Sequence, residues 1–214
     1  MQHRSFLALA ALAGLSFAAA CSDATSVAST GTLAVRLTDA PIALDQVQQV
    51  DVYVVRVDVK QDETPDSTTA NTSATDTTAN AADARDGWRT VAKPDSLFNL
   101  LDLQNGVSTA LGSATLTTGT YRMMRFVIDP DKSSVTLTDG TVLTKSSSPG
   151  VMFPSAAQSG IKVNFTQPLV IAANDTTTAT ADFDAAQSFV LRGSTIMSGG
   201  LQFKPVIRLT SVPQ

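Results

Sequence analysis

The chain has 214 residues, a formal net charge of −4, one cysteine and one histidine. A sequence pI near 4.8 argues against nucleic-acid binding, which needs clustered lysine and arginine to neutralise phosphates. A single cysteine excludes an intramolecular disulfide and a cysteine zinc site, whereas 43% hydrophobic residues are enough to build a packed core.

Residues 1–20 have the pattern of a secretory signal peptide. Arg4 supplies a positive charge, and an apolar stretch runs from Phe6 to Phe17. A run of about 16 uncharged residues is too short to span a bilayer comfortably as a permanent helix. We therefore expect this segment to direct export.

Ala18-Ala19-Ala20-Cys21 resembles a bacterial lipobox, with alanine at the place where leucine is usual. The resemblance implies a diacylglyceryl group on the Cys21 sulfur and cleavage after Ala20, and two or three lipid chains anchor a protein stably. We predict an exported protein that is lipid-anchored to a bacterial membrane through Cys21. Serine at position 22, directly after the cysteine, resembles the pattern of lipoproteins that Gram-negative cells sort to the outer membrane. The alternative is an ordinary secretory peptide followed by a coincidental cysteine.

Cleavage after Ala20 would remove His3, and lipidation would consume the thiol of Cys21. The mature chain would then have neither imidazole nor free thiol, which excludes histidine-dependent serine or cysteine triads and histidine or cysteine zinc sites. Paired carboxylates, a serine–lysine pair or an oxygen-ligand metal site are the remaining routes to catalysis. We expect no cofactor, no metal and no enzymatic activity.

Two polar segments precede and interrupt the patterned region. Residues 21–30 are small and polar and predict a flexible tether. Residues 61–86 contain seven threonines, six alanines, six acids and one base, without large apolar side chains. Such a segment cannot bury enough apolar surface to offset its ordering entropy. It is predicted to be a disordered acidic loop inserted in one domain, residues 31–211.

Hydrophobic residues recur with a period of two in this domain, which predicts β-strands. The pattern is regular from Leu33 to Leu37 and from Val50 to Val54. It then slips by one residue before continuing from Val55 to Val59, which predicts a bulge. A second slip lies at Met123-Met124. The 28 threonines and the single glutamate also favour strands and turns over helices.

Turn signals separate the strands. Asp139-Gly140 predicts a hairpin with a type I′ turn, and Asn174-Asp175 suggests a second hairpin. Pro205 is expected at a sheet edge or a bulge, and Val107 and Leu111 lie at helical spacing that allows a short helical turn. About ten short strands indicate an all-β fold, namely an antiparallel Greek-key β-sandwich of Ig-like or prealbumin-like type, with a barrel as the alternative.

Leu116 to Tyr121 follows the L-x-x-G-x-Y pattern of a tyrosine corner. In Greek-key sandwiches such a tyrosine lies near the start of a strand and donates its hydroxyl to the backbone a few residues upstream. We predict a structural role for Tyr121, and a binding-site tyrosine is the alternative.

Several segments together resemble the bacterial and archaeal domain of unknown function 4382 family. They read GTLAVRLTDAPI from Gly31, FNLLDLQNG from Phe98, LTTGTYRMMR from Leu116, GIKV from Gly160, DFDAAQS from Asp182 and FKPVIR from Phe203. The resemblance spans nearly the whole of residues 31–210, and residues 61–86 depart from it in length and threonine content. Because the family is mostly predicted lipoproteins without an assigned activity, the resemblance implies fold and location and supplies no catalytic residues.

Five aspartates are candidates for carboxylate or cation chemistry. Asp129 and Asp131 offer oxygen ligands at alternating positions, but the glycine and glutamate of a calcium loop are missing, which favours a plain turn. Asp182 and Asp184 share one strand face with Cα atoms about 6.5–7 Å apart, which suits a cation, a carboxylate pair or simply a polar outer face. Asp39 is expected to bond its own turn backbone.

We expect a non-enzymatic, lipid-anchored binding or interaction module of the cell envelope. Its partners would be the membrane and an envelope protein or glycan, recognised by loops at one end of the sandwich. One alternative is a structural subunit that associates through sheet edges. The other is a carboxylate-based enzyme on polysaccharide, against which the scarcity of aromatic platforms counts, since only Trp88, Tyr53 and Tyr121 are present beyond phenylalanine.

Overall fold

The structure, a computed structural model, describes residues 29–40, 45–62, 87–154 and 159–213. The predicted signal peptide, Cys21, nearly all of the predicted tether and most of the predicted loop 61–86 lie outside the described residues.

Strands dominate the described residues, and each of the two α-helices has only four residues. The strands are β1 (Thr30–Asp39), β2 (Val47–Gln61), β3 (Trp88–Ala92), β4 (Ser96–Asn99), β5 (Ser108–Thr117), β6 (Gly119–Ile128), β7 (Ser134–Leu137), β8 (Val142–Leu143), β9 (Val151–Met152), β10 (Ile161–Ile171), β11 (Thr176–Phe183), β12 (Phe189–Leu191), β13 (Leu201–Phe203) and β14 (Ile207–Pro213). The helices are α1 (Ala185–Ser188) and α2 (Ile196–Gly199), and a 3₁₀ turn spans Leu100–Leu103. The prediction of a mostly β protein is confirmed.

The strands of the described residues form three sheets. One has the order β14-β11-β1-β5, and a larger one has the order β10-β6-β2-β7-β8 with β3 and β4 also paired to β2. A small third sheet has the order β12-β13-β9. Buried side chains from all three sheets meet in one hydrophobic core, to which β1 contributes Leu33, Val35 and Leu37. The predicted alternation of β1 is confirmed.

The two phase slips seen in the sequence correspond to irregular pairing between β2 and β6. The register shifts between Val54 and Arg56, so that both Val54 and Val57 reach the core, and shifts again between Lys60 and Gln61. The second shift lets Tyr121 and Met124 both point inward although they are an odd number of residues apart. An extra residue in one strand changes which of the following side chains face the core, so that apolar ones again point inward.

The predicted antiparallel arrangement needs one correction. β1 pairs in parallel with β11, from Thr32 opposite Thr176 to Asp39 opposite Phe183, and pairs antiparallel only with β5. β9 and β13 also run parallel. Alternation identifies a strand but does not give its direction relative to a partner that is distant in sequence.

The hairpin predicted around Asn174-Asp175 is wrong. β10 pairs with β6 in the large sheet, whereas β11 pairs with β1 and β14 in the four-stranded sheet, so the chain crosses between sheets here. Pro205 lies in the connection between β13 and β14 rather than at an edge or bulge of a strand. Since proline removes a backbone donor, it suits a point where the chain leaves one sheet for another.

The hairpin at Asp139-Gly140 is confirmed, since β7 and β8 pair antiparallel, but its turn is not type I′. Gly140 alone has a positive φ, of 85°, and a type I′ turn needs two such residues. Asn105 and Gly106 have φ of 56° and 84°, which are the dihedral signs of a type I′ turn. This turn leads directly into β5, so the short helical turn suggested at Val107–Leu111 is wrong.

The predicted tyrosine corner is present where the chain passes from β5 to β6. The Tyr121 hydroxyl donates to the Thr117 carbonyl at 3.0 Å, and the side chain is fully buried. Gly119, with φ of 144°, forms the turn between these residues. Because β5 and β6 belong to different sheets, this bond fixes the angle at which the chain changes sheet.

A buried ion pair lies beside Trp88, outside the main core. Arg125 donates to Asp58 Oδ2 from Nε at 2.8 Å and from Nη2 at 2.6 Å, and Thr90 donates to Oδ1 at 2.9 Å. The Arg125 guanidinium lies 4.5 Å from the centre of the Trp88 ring. These contacts attach β3 to β2 and β6 and leave the Trp88 ring buried.

We expect Tyr121→Phe to lower the free energy of unfolding by about 1 kcal/mol, because the buried side chain loses its hydrogen bond to the Thr117 carbonyl. Urea denaturation followed by far-ultraviolet circular dichroism measures this change. The matched control is Tyr53→Phe, which removes a hydroxyl that donates to the Asp95 carbonyl at 2.8 Å in a more exposed position. A loss for Tyr121→Phe no larger than for Tyr53→Phe would contradict the structural role.

Candidate functional site

The structure places Asp182 and Asp184 close together but gives them different roles. Asp182 is half-buried in β11, whereas Asp184 is buried and caps α1 by accepting from the Gln187 backbone N–H at 3.0 Å. Arg208 Nη1 lies 4.0 Å from Asp182 Oδ2 and 3.7 Å from Asp184 Oδ2. One guanidinium therefore bridges the two carboxylates.

Asp39 joins this cluster, because the register of β1 and β11 puts it opposite Phe183. Its carboxylate accepts from the Ala185 backbone N–H at 2.9 Å and from Gln104 Nε2 at 3.5 Å. Both bonds come from segments distant in the sequence, whereas residues 41–44 of the turn to which a bond was predicted lie outside the described residues. The Asp39 side chain is buried. Together with Asp182 and Asp184, it places three neighbouring carboxylates at this end of the four-stranded sheet.

Burial is the main cause of the altered titration of this cluster. It raises the pKa of Asp39 to about 6, against the lowering effect of the bonds from Ala185 and Gln104, and the charges of Asp182 and Asp184 raise it further. Burial also raises the pKa of Asp182, while the Arg208 charge lowers it. Asp182 Oδ1 is buried without a hydrogen-bond partner among the described residues.

Asp129 and Asp131 form a turn, as favoured from the sequence. Asp129 Oδ1 accepts from the Asp131 backbone N–H at 3.0 Å, and Asp131 pairs with Lys145 Nζ at 3.0 Å. Within the part of the chain that the structure describes, no group of three or more histidine, cysteine or acidic side chains is arranged to hold a metal ion.

An open cavity lies elsewhere, beside the three-stranded sheet. It has a volume of about 540 Å³, within the range of about 300–1,000 Å³ for ligand pockets. Two chain connections form its walls: the one from β8 to β9 contributes Lys145 and Ser148, and the one from β12 to β13 contributes Arg192 and Met197. We call this cavity the β9–β13 cleft.

Glycines allow the two walls to approach each other. A Cβ on Gly200 would lie 2.3 Å from the Gly150 carbonyl oxygen, and a Cβ on Gly199 would lie 1.5 Å from the Arg192 carbonyl oxygen. The Leu201 backbone N–H donates to the Gly150 carbonyl at 2.9 Å. A larger residue at Gly200 would push the two walls apart, and one at Gly199 would displace the Arg192 backbone within the second wall.

Side-chain bonds give each wall a fixed shape. In the first wall, Ser147 Oγ accepts from the Thr144 backbone N–H at 2.8 Å and donates to the Pro149 carbonyl at 2.7 Å. In the second, Thr195 and Ser198 form a reciprocal capping box at the start of α2. The loops that line the cleft are therefore held by internal hydrogen bonds.

The cleft presents cationic donors and thioether surface. Lys145 and Arg192 line it, and no acidic side chain of the described residues does. Met152 and Met197 are 46% and 55% exposed. A neighbouring, smaller cavity of about 360 Å³ is more apolar and has one charged side chain in its described lining, Asp45. The two cavities thus differ in the charge they offer a ligand.

A family model described as Domain of unknown function (DUF4382) matches residues 30–205. The chain belongs to the DUF4382 family. The resemblance seen in the sequence is therefore confirmed as to family, and the match includes both walls of the β9–β13 cleft. No curated protein and no solved structure matches the chain.

The cleft of this DUF4382 domain was not predicted from the sequence. Lys145 and Arg192 are isolated cations in connections that are far apart along the chain, and neither belongs to a motif. The only local signals were glycine and serine clusters, Ser146 to Gly150 and Gly199-Gly200, which are typical of turns. Across the described ranges, no helix has the length and hydrophobicity needed to cross a bilayer.

The raised pKa of Asp39 predicts a pH-dependent stability. The ordinary value is 3.8 and the folded value about 6, so the folded state binds more protons than the unfolded chain between these pH values. The free energy of unfolding should fall as the pH rises from 4 to 6, by at most about 3 kcal/mol from this group, and then level off. Urea denaturation at half-unit pH steps measures this slope.

Asp39→Asn should remove this contribution while keeping an oxygen that accepts from Ala185. The control is Asp102→Asn on the exposed face of the 3₁₀ turn, which removes one carboxylate outside the Asp39 cluster. An Asp39→Asn protein with the same pH slope as the wild type would show that Asp39 titrates normally.

Proposed function

We propose that this protein is a lipid-anchored, non-enzymatic domain of the bacterial cell envelope that binds a partner through the β9–β13 cleft. Cys21 is the proposed attachment site, with export and an outer-membrane location in a Gram-negative cell. The proposal includes a Greek-key sandwich of Ig-like or prealbumin-like type, for which the Tyr121 corner between two sheets is the supporting feature.

The lipid anchor is supported by the sequence before the domain. An apolar stretch ending in Ala18-Ala19-Ala20-Cys21 has the order of a lipoprotein signal, and the family match begins only at residue 30. A short polar segment therefore separates Cys21 from the first strand. This arrangement suits a folded domain held close to a membrane surface.

A non-enzymatic role is supported by the way the carboxylates are used. Asp184 caps α1, Asp39 accepts from the Ala185 backbone, and Arg208 bridges Asp182 and Asp184. Each of these contacts gives a carboxylate a structural role. No carboxylate is present in the described lining of the cleft, which disfavours the polysaccharide-cleaving alternative for this site.

The cleft is the observation that carries the binding role. It combines a ligand-sized volume, rigid walls, cationic donors and two exposed methionines, as recognition sites on loops do. Recognition of a glycan by ring stacking has less support, since Trp88 and Tyr121 are buried and Lys132 Nζ lies 4.1 Å from the centre of the Tyr53 ring. We therefore favour a protein or a small ligand as the partner.

Association through sheet edges is the second candidate function. The long edge strand β10 is where such association would take place. Its pairing with β6 is irregular between Asn164 and Leu169, and Pro168 lies in this interval. Proline and a bulge on an edge strand hinder pairing with another chain. Val170 at 58% exposure nevertheless offers an apolar contact point on this strand.

Cys21→Ser should abolish membrane anchoring, because serine cannot form the thioether to lipid. Detergent-phase partitioning of the full chain expressed in a bacterium measures this, and mass spectrometry identifies the lipid on the wild-type Cys21 peptide. Ser22→Ala, one residue away, is the control and should keep the anchor. Detergent-phase partitioning that survives Cys21→Ser would refute the anchor.

Met197→Asp should reduce capture of an envelope partner by at least about tenfold, because a carboxylate in the cleft opposes apolar packing. Val107→Asp, at a site 53% exposed and distant in sequence, is the matched control and should capture normally. The measurement is quantitative mass spectrometry of envelope proteins retained by the immobilised full chain. Loss of capture with Val170→Asp but not Met197→Asp would favour the edge-association function instead.

A further inference from the structure

The β9–β13 cleft has more hydrogen-bond donors than acceptors among its side chains. No described residue bonds to the Arg192 guanidinium or to the Ser148 hydroxyl, and both residues line the cleft. Lys145 has one carboxylate partner, Asp131, and its side chain is 43% exposed. Since a guanidinium and an ammonium can only donate, the chemistry that matches this surface is a group that accepts.

Two cations reach the cleft from opposite walls. Lys145 belongs to the connection from β8 to β9, and Arg192 follows β12, so a ligand between them would contact both connections. Arg192 is exposed and presents a planar fork of donors that matches the two oxygens of a carboxylate or phosphate. The neighbouring cavity, with Asp45 as its charged lining residue, offers the opposite charge.

From these contacts we infer that the β9–β13 cleft binds a small ligand through an oxyanion, a carboxylate or a phosphate, held between Arg192 and Lys145. The inference rests on the proposed binding role of the same cleft and names the chemistry of its ligand. Arg192 is the principal anchor, because its charge has no carboxylate partner among the described residues, whereas that of Lys145 is shared with Asp131. Met152 and Met197 would contact the apolar part of the ligand.

Asp131 acts in this arrangement as an internal competitor. Its carboxylate accepts from Lys145 Nζ at 3.0 Å and 3.2 Å, which are the bonds a bound oxyanion would take over. Removing this carboxylate would free the ammonium and remove a like charge from the neighbourhood of the ligand. Neutralising Arg192 and neutralising Asp131 should therefore have opposite effects on the affinity for the ligand.

The experiment is a titration of the full chain in non-ionic detergent with sodium phosphate, sodium glucuronate or neutral glucose at constant ionic strength, followed by calorimetry. We expect an oxyanion to bind and glucose not to bind. Arg192→Gln should weaken binding at least about tenfold, as expected for loss of charge-assisted bonds. Asp131→Asn should tighten it about two- to fivefold, the scale of an exposed ion pair.

Lys204→Gln is the charge-matched control, because Lys204 is exposed and does not line the cleft. It should bind like the wild type, and all variants should have the wild-type melting temperature. Binding of phosphate alone or of glucuronate alone identifies the oxyanion and supports the inference. No binding of either, or binding unchanged by Arg192→Gln, overturns it. If partner capture is still lost with Met197→Asp in that case, the binding role stands and only the oxyanion assignment fails.

Discussion

The position of the cleft depends on aromatic packing around Phe203. This side chain is fully buried in β13, and its ring centroid lies 5.0 Å from that of Phe189, 5.3 Å from that of Phe153 and 6.0 Å from that of Phe183. Phe183 belongs to the four-stranded sheet, whereas the others belong to the three-stranded sheet or adjoin it. Large rings bury much apolar area with little conformational freedom, so this cluster fixes the small sheet, and with it the connections that carry Lys145 and Arg192.

The Asp39 cluster and the β9–β13 cleft differ in whether their charged side chains have partners within the fold. Near Asp39, the carboxylates receive bonds from the backbone or lie beside Arg208, and burial rather than an open ligand site accounts for the raised pKa of Asp39. Arg192 lines the cleft, and its guanidinium has no partner among the described residues. Arg192 therefore offers charge-assisted donors to a ligand, whereas in the Asp39 cluster Asp182 Oδ1 is the atom left without a hydrogen-bond partner among the described residues.

Local patterns in the sequence predicted local structure well. The alternation from Leu33 to Leu37, the slip after Val54 and the corner at Tyr121 each depend on residues that are neighbours along the chain, and all three are present. Predictions that required knowing which strands pair failed more often. The hairpin around Asn174-Asp175 is instead a crossing between sheets, because the same turn residues serve both purposes and only packing decides between them.

The sequence by itself determined that the chain is mostly β, belongs to the DUF4382 family, and carries a Cys21 motif whose lipidation stays a prediction. The tertiary structure alone decided that β1 runs parallel to β11, which brings Asp39 to the cap of α1. It also decided that Lys145 and Arg192 line one cleft. Such juxtapositions join residues far apart in the chain, and no periodicity in a sequence encodes the distance between two side chains that meet only after the sheets have packed.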